Sequence, residues 1–418
     1  MTDQHVLATY EIETSLPIEQ AAEALAGEQS TGTFIRVQRE TDDLRARFAA
    51  QVVSIEELPL SGQTPLPGFR GDAQAVRRAR LIIRFPLDNF GPSLPNLLAA
   101  VAGNLFELRE MAGIKLVDLD LPSAFMTRYS GPAFGVPGTR RLMSRDSGAM
   151  IGTIIKPSIG LAPSELAEVV DELVGAGIDF IKDDELQGNG PSAPLEERIK
   201  AVMPVIERHA DRTGKKAMYA FNITDDIARL ERNHDLVLEH GGTCIMVCVN
   251  LVGLSGLAFA REKSALPIHA HRAMLGALMR SPQLGFGYTA WQKLARLAGA
   301  DHVHTNGPSN KFYESDPEVF TAIADVRRPL LDFESTVPVL SSGQWAGLAH
   351  DTYDAVGTTD LLVLAGGGIH GHPDGAVAGV ESMRTAWDAA VSGEDFASAL
   401  ARSVPLQRAV EALGGIRA

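Results

Sequence analysis

The chain has 418 residues, of which 45% are hydrophobic and 22% charged, a composition typical of a globular protein with a large buried core. Its length favours two domains, and its formal net charge of −14 argues against nucleic acid or a membrane surface as a partner. An anionic substrate would need cations gathered locally at its binding site.

Cysteine usage and apolar runs predict the compartment. The two cysteines, Cys244 and Cys248, lie in one apolar run, so we expect buried thiols rather than a disulfide framework. The residues after Met1 lack the basic and apolar regions of a signal peptide. No apolar run reaches the ~20 residues of a membrane helix, and we therefore expect a cytoplasmic protein.

Residues 1–130 predict a small α+β sandwich domain of the ferredoxin-like kind, because strand and helix patterns interleave along them. The expected strands are residues 6–14, 44–55, 79–85 and 114–121, and the expected helices are residues 17–26 and 95–110. The next stretch, residues 131–148, begins rich in glycine and proline and is expected to be a connector.

From residue 149 to residue 418 the pattern becomes regular, with short apolar runs alternating with amphipathic helices. Strands are expected at residues 150–155, 179–182, 217–221, 244–249, 266–271, 302–304, 337–340 and 361–364. Helices are expected at residues that include 164–175, 196–213, 288–297 and 378–391. Eight strand–helix units predict a (β/α)₈ TIM barrel as the catalytic domain, with a C-terminal helix, and so an α/β fold class.

The most informative polar segment follows the second barrel strand, at the face where this fold carries its active site. It reads Lys182-Asp183-Asp184-Glu185, and Lys182 shares a face with Asp184 because side chains alternate along a strand. The segment can be a plain ion pair, or it can bind a hard cation such as Mg²⁺ through carboxylate oxygens. A neutral Lys182 could also add CO₂ and become a carbamate, which is a third anionic oxygen ligand.

Two His-x-His pairs end the fifth and sixth predicted barrel strands. They are His269 with His271, and His302 with His304. Histidines two apart in a strand face the same way and could bind zinc. They could equally be satisfied core residues, and the sequence leaves both interpretations open.

Anion-binding groups are also present near the strand ends. Arg272 suits phosphate because its planar fork matches the phosphate oxygens. The glycines at 366–368 would let backbone N–H groups approach a phosphate, although turns use glycine for many other reasons. Lys311 lies in a predicted loop, and its position alone favours a solvated surface lysine.

Taken in order, these pieces resemble the large subunit of RuBisCO and its non-carboxylating relatives, the RuBisCO-like (form IV) proteins. The resemblance covers nearly the whole chain, and the motifs after strands 2 and 8 are highly specific together. It rests on residues 30–34, 103–106, 153–157, 177–185, 269–274, 301–304, 341–343 and 366–373.

The resemblance implies a catalytic role for several residues. Lys182 is similar to the lysine that is carbamylated and binds Mg²⁺, with Asp184 and Glu185 as the other protein ligands. Lys156 is similar to the general acid/base of strand 1. His271 is similar to a second residue for proton transfer and for binding a substrate hydroxyl.

Two phosphate sites and a shared active site are implied as well. One phosphate site would comprise Arg272, His304 and Ser341, and the other would comprise Thr33, Gly343, Gly366 and Gly367. Glu28 and Asn104 match residues that one subunit offers to its neighbour's barrel. The resemblance therefore implies a homodimer, or a multiple of dimers, that acts on a phosphorylated small molecule.

Departures from the family pattern argue against a CO₂-fixing carboxylase. Ser158 stands where a second lysine is expected, Phe34 where tryptophan is usual, and Leu275 where histidine is usual. The loop after strand 6 differs in sequence but keeps Lys311 at the position of the lysine that addresses the carboxyl group or CO₂ in the carboxylase.

Three reactions of this family proceed through an enediolate, and the sequence ranks them. We expect decarboxylation of a β-keto sugar-acid phosphate of the 3-oxo-isoapionate 4-phosphate type, because Lys311 and both phosphate motifs are present. The alternative is methionine salvage, as a 2,3-diketo-5-methylthiopentyl-1-phosphate enolase or a 5-methylthioribulose-1-phosphate isomerase. The resemblance thus implies Mg²⁺ and CO₂, the latter as the lysine carbamate.

Two further classes are kept as alternatives. Barrel hydrolases of the amidohydrolase type also combine a carbamylated lysine with a zinc-binding His-x-His pair. Their pair belongs on the first strand, whereas both pairs here follow Lys182. A non-catalytic role is disfavoured because a decayed site would be expected to lose some of its polar residues.

Overall fold

The computed structural model describes residues 4–32 and 37–415, and the chain divides into two compact units. The first unit comprises Met1–Ser130 and Met274–Ala298, and the second comprises Gly131–Ala273 and Gly299–Ala418. The segment Met274–Ala298 therefore lies between two barrel strands in the sequence but belongs to the N-terminal unit. No pattern in the sequence indicated this arrangement.

The first unit contains a five-stranded sheet with the order β10-β4-β1-β3-β2. Its strands are β1 (His5–Thr14), β2 (Gln51–Leu58), β3 (Arg77–Pro86), β4 (Met111–Asp120) and β10 (Leu284–Phe286). Neighbouring strands are antiparallel, except that β10 runs parallel to β4. The order of the four N-terminal strands is that of a ferredoxin-like sandwich, which confirms the predicted α+β domain.

Helices accompany this sheet in the first unit. They are α1 (Ile18–Glu28), α2 (Asp42–Phe48), α3 (Leu94–Ala102), α9 (Leu275–Met279) and α10 (Tyr288–Leu297), with short 3₁₀ turns at Ala73–Ala75, Leu87–Asn89, Leu105–Glu107 and Ser123–Thr127. Alternate side chains of β1 and β3 are fully buried, as expected of a strand with one face against helices. The Tyr10 hydroxyl donates to the Val101 carbonyl oxygen over 2.6 Å and ties the sheet to α3.

One predicted strand is partly wrong. Residues 44–48 were expected to begin a strand but lie in α2. The Thr41 side chain accepts the Leu44 N–H at 3.2 Å and caps this helix, and Asp42 and Asp43 in the first turn favour its N-terminus. The strand β2 begins only at Gln51.

The second unit is a closed barrel of eight parallel strands, which confirms the predicted (β/α)₈ fold. The strands are β5 (Met150–Ile154), β6 (Phe180–Lys182), β7 (Met218–Asn222), β8 (Cys244–Cys248), β9 (Ile268–His271), β11 (His302–His304), β12 (Val337–Leu340) and β13 (Leu362–Leu364). Nearly all of their residues are buried, because the helices outside and the neighbouring strands leave neither face to water.

Helices surround the barrel and extend to the C-terminal end of the described chain. They are α4 (Gly135–Leu142), α5 (Pro163–Gly175), α6 (Leu195–Thr213), α7 (Ile227–Glu239), α8 (Val249–Lys263), α11 (Asp316–Arg327), α12 (Ala349–Val356), α13 (Gly367–His370), α14 (Gly375–Ser392), α15 (Phe396–Arg402) and α16 (Val404–Leu413), with a 3₁₀ turn at Ala346–Leu348. Across residues 4–32 and 37–415, no helix is long and apolar enough to cross a membrane.

The barrel interior is apolar at its base. Its core comprises Met150, Phe180, Met218, Ala220, Cys244, Met246, Val337, Val339, Leu362 and Leu364, together with Val136 and Met143. Cys244 and Cys248 are both free, buried thiols, as the sequence predicted.

A buried carboxylate lies directly before β6, at the base of the barrel. Asp179 is 0% exposed and accepts hydrogen bonds from Lys215 Nζ at 2.6 Å, from Arg384 Nη2 at 2.5 Å and from the Ile151 N–H at 2.8 Å. Burial alone would raise the pKa of Asp179, but the two cations more than offset this and hold it below its usual value. Asp179 therefore fixes the start of β5 while it stays charged.

We predict that Asp179→Asn lowers the free energy of unfolding by about 2–3 kcal/mol at neutral pH, because two cations lose a charged partner. A depressed folded-state pKa gives stability that is present above the unfolded value of about 3.9 and is lost as the pH falls through the folded value. The difference from the wild type should therefore shrink below about pH 4. Denaturant unfolding at several pH values measures it, with the exposed Asp211→Asn as control; a difference independent of pH would contradict the assignment.

Candidate active site

The barrel strands end in polar side chains, at the face where this fold builds active sites. Lys182 is the last residue of β6, His271 the last of β9 and His304 the last of β11. Lys156 comes two residues after β5, and Ser341 directly follows β12. Five separate strands therefore deliver functional groups to one end of the barrel.

Two lysines converge on the two carboxylates that follow β6. Lys156 Nζ lies 2.7 Å from Asp184 Oδ2, and Lys182 Nζ lies 3.8 Å from Glu185 Oε2. The Lys182 side chain is 1% exposed and that of Asp184 5%, whereas those of Lys156 and Glu185 are each 38% exposed. Each of the two ion pairs thus joins one buried side chain to one that is exposed enough to contact a ligand.

The surroundings of Lys182 make its neutral form more favourable than the neutral form of an ordinary lysine. Burial lowers the pKa of Lys182, and the carboxylates of Glu185 and Asp184 counter this only in part. For Asp184, burial would raise the pKa, but hydrogen bonds from Lys156 and from the Leu186 N–H hold it below its usual value. A neutral amine beside charged carboxylates is the state from which a carbamate can form.

Asp183 points away from these groups and anchors the strand end. Its carboxylate accepts the Tyr219 hydroxyl at 2.7 Å, the Asn222 N–H at 2.9 Å and Arg198 Nη2 at 3.1 Å. Both members of the Asp183–Arg198 pair are 1% exposed. No role was predicted for Asp183, although strand alternation already placed it opposite Lys182 and Asp184.

His271 lies beside the carboxylates with one tautomer fixed. Its Nδ1 accepts the Ala273 N–H at 3.1 Å, so in the neutral ring the proton is carried on Nε2. That Nε2 lies 3.4 Å from Glu185 Oε2. Burial lowers the pKa of His271 well below its usual value.

Three further imidazoles form a hydrogen-bonded chain between two hydroxyl groups through the barrel interior. The contacts are Thr139 Oγ1 to His302 Nε2 (2.8 Å), His302 Nδ1 to His269 Nδ1 (3.3 Å), His269 Nε2 to His304 Nε2 (2.7 Å) and His304 Nδ1 to Ser341 Oγ (3.2 Å). Each ring nitrogen of these three histidines has a hydrogen-bond partner, as expected of satisfied core histidines.

A carbonyl group at one end sets the direction of every bond in this chain. The Thr139 hydroxyl donates to the Gly135 carbonyl oxygen, so the Thr139 oxygen accepts from His302 Nε2. Each neutral imidazole carries one N–H. His302 Nδ1 therefore accepts from His269 Nδ1, and His269 Nε2 accepts from His304 Nε2. At the far end, the Ser341 hydroxyl donates to Nδ1 of His304.

Burial keeps these rings neutral. It lowers the pKa of His302 to about 3, and it holds the pKa values of His269 and His304 well below the usual 6.5. His304, expected as a phosphate ligand, therefore has its single N–H directed to His269 rather than to the barrel mouth.

Arg272, the other expected phosphate ligand, contacts a carboxylate that was not predicted from the sequence. It is paired with Glu314, and the two side chains are only 10% and 13% exposed. The second Glu314 oxygen accepts Asn306 Nδ2 at 2.9 Å, and Asn306 Oδ1 accepts the Ser342 hydroxyl at 3.2 Å. The only sequence signal was an acidic residue shortly after Lys311.

Glycines follow β12 and β13 at the barrel mouth. A methyl group on Gly366 would lie in ordinary van der Waals contact with Lys156 Cε, at 3.5 Å, so this backbone lies beside the lysine. Gly367 begins α13 and has open space around the position of a Cβ, and the first N–H groups of a helix have no carbonyl partner within it. Gly343 has φ +79° in the turn after β12.

The remaining predicted site residues do not join this cluster. Lys311 is exposed in the loop after β11, with Nζ 5.4 Å from the centre of the Phe312 ring. Glu28 and Asn104 are exposed residues of the first unit. Thr33 lies outside the described residues.

The side chains after β6 fit a hard cation if Lys182 carries a carbamate. Within the described ranges 4–32 and 37–415, no three His, Cys, Asp or Glu side chains lie close enough together to hold a metal ion. Asp184 and Glu185 supply two carboxylates, which suit Mg²⁺. Because Lys182 is buried beside both, its carbamate would add the third oxygen ligand, so the residues fit Mg²⁺ once that carbamate forms.

Comparison with known proteins identifies relatives over nearly the whole chain. The family model of the ribulose bisphosphate carboxylase large chain, catalytic domain, matches residues 135–413, and the N-terminal domain model matches residues 1–125. A protein of Xanthobacter autotrophicus named 3-oxo-isoapionate-4-phosphate transcarboxylase/hydrolase is 49% identical over 97% of this chain and 99% of its own.

Two further relatives extend this result. A 3-oxo-isoapionate-4-phosphate decarboxylase of Rhizobium rhizogenes is 44% identical over 93% of each chain. The crystal structure of a rubisco-like protein from Burkholderia fungorum superposes with a TM-score of 0.90 at 42% identity, covering 98% of this chain and 99% of that one.

We predict that the interior chain contains two Nε2–H imidazoles, those of His302 and His304, and one Nδ1–H imidazole, that of His269. Ring ¹⁵N NMR of histidine-labelled protein distinguishes these tautomers, with His302→Gln and His269→Gln to assign the signals. The three rings should stay neutral at pH 5, because burial disfavours their charged forms. An imidazolium signal from any of them at pH 6 would contradict the assignment.

Proposed function

This chain belongs to the ribulose bisphosphate carboxylase large-chain family, and we propose that within it the protein is a carboxy-lyase for a β-keto sugar-acid phosphate of the 3-oxo-isoapionate 4-phosphate type. One observation carries the proposal. Lys156 and Lys182 converge on Asp184 and Glu185 beside His271, in a chain 44–49% identical to proteins named for that substrate.

The reaction needs a site that stabilises an enediolate. The bond between the carboxylate carbon and the carbon next to the ketone breaks, and CO₂ leaves. The electron pair of that bond is delocalised onto the ketone oxygen as an enediolate, and a proton is then added to the carbon. Positive charge and hydrogen-bond donors close to the two oxygens lower the barrier to this step.

The residues at the barrel mouth suit these requirements. Lys156 Nζ, held by Asp184 at 2.7 Å and donating to Ser158 Oγ at 2.8 Å, is placed to return the proton to carbon. His271, with its proton on Nε2, can donate to a substrate hydroxyl. Lys311 would hold the departing carboxylate when the loop after β11 approaches the substrate.

Asp184, Glu185 and the carbamate of Lys182 would hold Mg²⁺. When bound there, the ion supplies charge stabilisation to the developing enediolate. Family membership generally implies this ion and this carbamate. The chain's own contribution is the buried position of Lys182, which favours the neutral amine, and the Asp183 anchor, which fixes the strand end.

A CO₂-fixing carboxylase is disfavoured by the same surroundings. Ser158 stands where the carboxylases carry a second lysine, and its hydroxyl oxygen accepts a hydrogen bond from Lys156. A lysine at this position would bring a second cation instead of an acceptor. Methionine salvage remains the alternative but is less well matched by the relatives, because two of high identity are named for 3-oxo-isoapionate 4-phosphate.

A second candidate is transcarboxylation followed by hydrolysis, and the 49% identical relative favours it. Both candidates begin with the same loss of CO₂ to give the enediolate. In the second, the CO₂ adds to another carbon, and water then cleaves a carbon–carbon bond. They differ in whether the CO₂ escapes, which an isotope label can follow.

We also propose that the active site is completed by a second copy of the chain. Exposed apolar side chains follow five barrel strands, namely Ile159, Leu186, Ile227, Leu251 and Phe312, each at least 46% exposed. An apolar rim of this kind around an active-site mouth marks a surface that another protein covers. Glu28, Thr33 and Asn104 of the partner copy would then face the substrate. The cytoplasmic location stays a prediction.

The proposed reaction is tested by NMR with 3-oxo-isoapionate 4-phosphate carrying ¹³C in the carboxyl carbon. In D₂O with Mg²⁺ and bicarbonate, we expect the label to leave as CO₂ and one deuteron to be gained at the neighbouring carbon. Label retained in a carboxylate product would establish the transcarboxylase/hydrolase. No consumption of this substrate, with turnover of a methylthio sugar phosphate, would overturn the proposal.

We predict that preincubation with bicarbonate and Mg²⁺ is needed for the full initial rate, because the Lys182 carbamate must form first. Lys182→Ala should lower the rate about a thousandfold or more, since it removes both the carbamate and its charge stabilisation. The exposed Lys200→Met serves as control. A full initial rate in CO₂-free buffer would show that the carbamate is not required.

A further inference from the structure

The Arg272 end of the barrel mouth already contains an anion that belongs to the chain. Glu314 pairs with Arg272, and both side chains are close to nine-tenths buried. A phosphate that approached the Arg272 guanidinium would meet this carboxylate in the same place. The family resemblance assigns Arg272 to a phosphate, so the presence of Glu314 changes what this site can bind.

Glu314 is held in place from several directions. Its second oxygen accepts Asn306 Nδ2 at 2.9 Å, and its carbonyl oxygen accepts Asn310 Nδ2 at 3.0 Å. Asn306 has φ +63°, in the left-handed region, and its amide oxygen is bonded to the Ser342 hydroxyl. Displacing Glu314 would therefore disrupt a network that spans the turns after β11 and β12.

The local charge does not suit a second phosphate. Arg272 is a single cation, and Glu314 neutralises it. The single N–H of the neighbouring His304 is directed to His269 and not to Arg272. A phosphate dianion at this end would face one paired arginine and a fixed carboxylate, so it would be repelled unless Glu314 moved away.

We propose that Glu314 determines specificity: it occupies the Arg272 site as an internal anion, so that the enzyme binds sugar monophosphates and rejects bisphosphates. This inference rests on the proposed function, in which the substrate carries one phosphate. That phosphate would bind at the glycine end, near Gly366 and Gly367. The end of the substrate near Arg272 would be uncharged, and its hydroxyl groups would donate to Glu314.

Calorimetric binding to the full-length protein, with Mg²⁺ and bicarbonate present, tests this proposal. The probes are ribulose 1,5-bisphosphate and ribulose 5-phosphate, which differ in one phosphate group. In Glu314→Gln, we expect affinity for the bisphosphate to rise about tenfold or more, because Arg272 gains a charge-assisted bond. Affinity for the monophosphate should not rise, because this ligand places no second phosphate at Arg272.

Matched variants show whether the effect passes through Arg272. Glu318→Gln removes the same charge from an exposed glutamate on α11 and should leave both affinities unchanged, since glutamine also serves in its capping position. The double change Arg272→Gln/Glu314→Gln should lose the gain in bisphosphate affinity. Thermal melts verify that each variant is folded, and Glu314→Ala provides a second removal of the carboxylate.

Two results would overturn the proposal. Bisphosphate binding to the wild type as tight as to Glu314→Gln and Glu314→Ala would show that Glu314 does not compete with phosphate. Equal gains in Glu318→Gln would attribute the effect to net charge alone. The assay needs no turnover, so loss of the proposed reaction and loss of this specificity are distinguished.

Discussion

A charged group can be buried at the end of a barrel strand only if other groups compensate it, and the strand β6 meets this constraint in two directions at once. Lys182 faces the mouth with Glu185 and Asp184 nearby, while Asp183 faces the other way into Arg198, Tyr219 and the Asn222 N–H. Because consecutive side chains alternate, the outward anchor and the inward site are specified by four adjacent residues. A shift of the strand by one residue would turn Asp183 toward the mouth and Lys182 away from it. The contacts of Asp183 therefore also determine which side chains form the site.

Much of the barrel and its mouth was predictable because each strand is buried on both faces. Continuous apolar runs mark such strands, and the polar residue that follows each run then lies at the active-site end. Apolar and polar side chains alternate over residues 44–48, which also suits a strand, whereas the capping by Thr41 is a local effect that decides for a helix. The strand β10 has three residues, too few for any periodicity to be detected.

The parts of the site that the sequence did not predict depend on contacts between loops. Glu314 and Asn306 meet Arg272 and Ser342 only because the turns after β9, β11 and β12 lie side by side. The His-x-His pairs were ambiguous for a related reason. Strand spacing places two rings on one face, but their partners come from neighbouring strands, and those partners make a neutral interior chain with a fixed direction.

The membership of Met274–Ala298 in the N-terminal unit bears on how the protein is synthesised. A chain emerging from the ribosome completes β1 to β4 long before residue 284 is made, at a synthesis rate of about 5–20 residues per second. During that interval the Ile114–Leu116 edge of β4, later paired with Leu284–Phe286, has no neighbour. An open edge strand recruits other strands, so nascent chains on one polysome would meet at this edge unless a chaperone shields it. Cutting the gene after the N-terminal domain would make that transient exposure permanent.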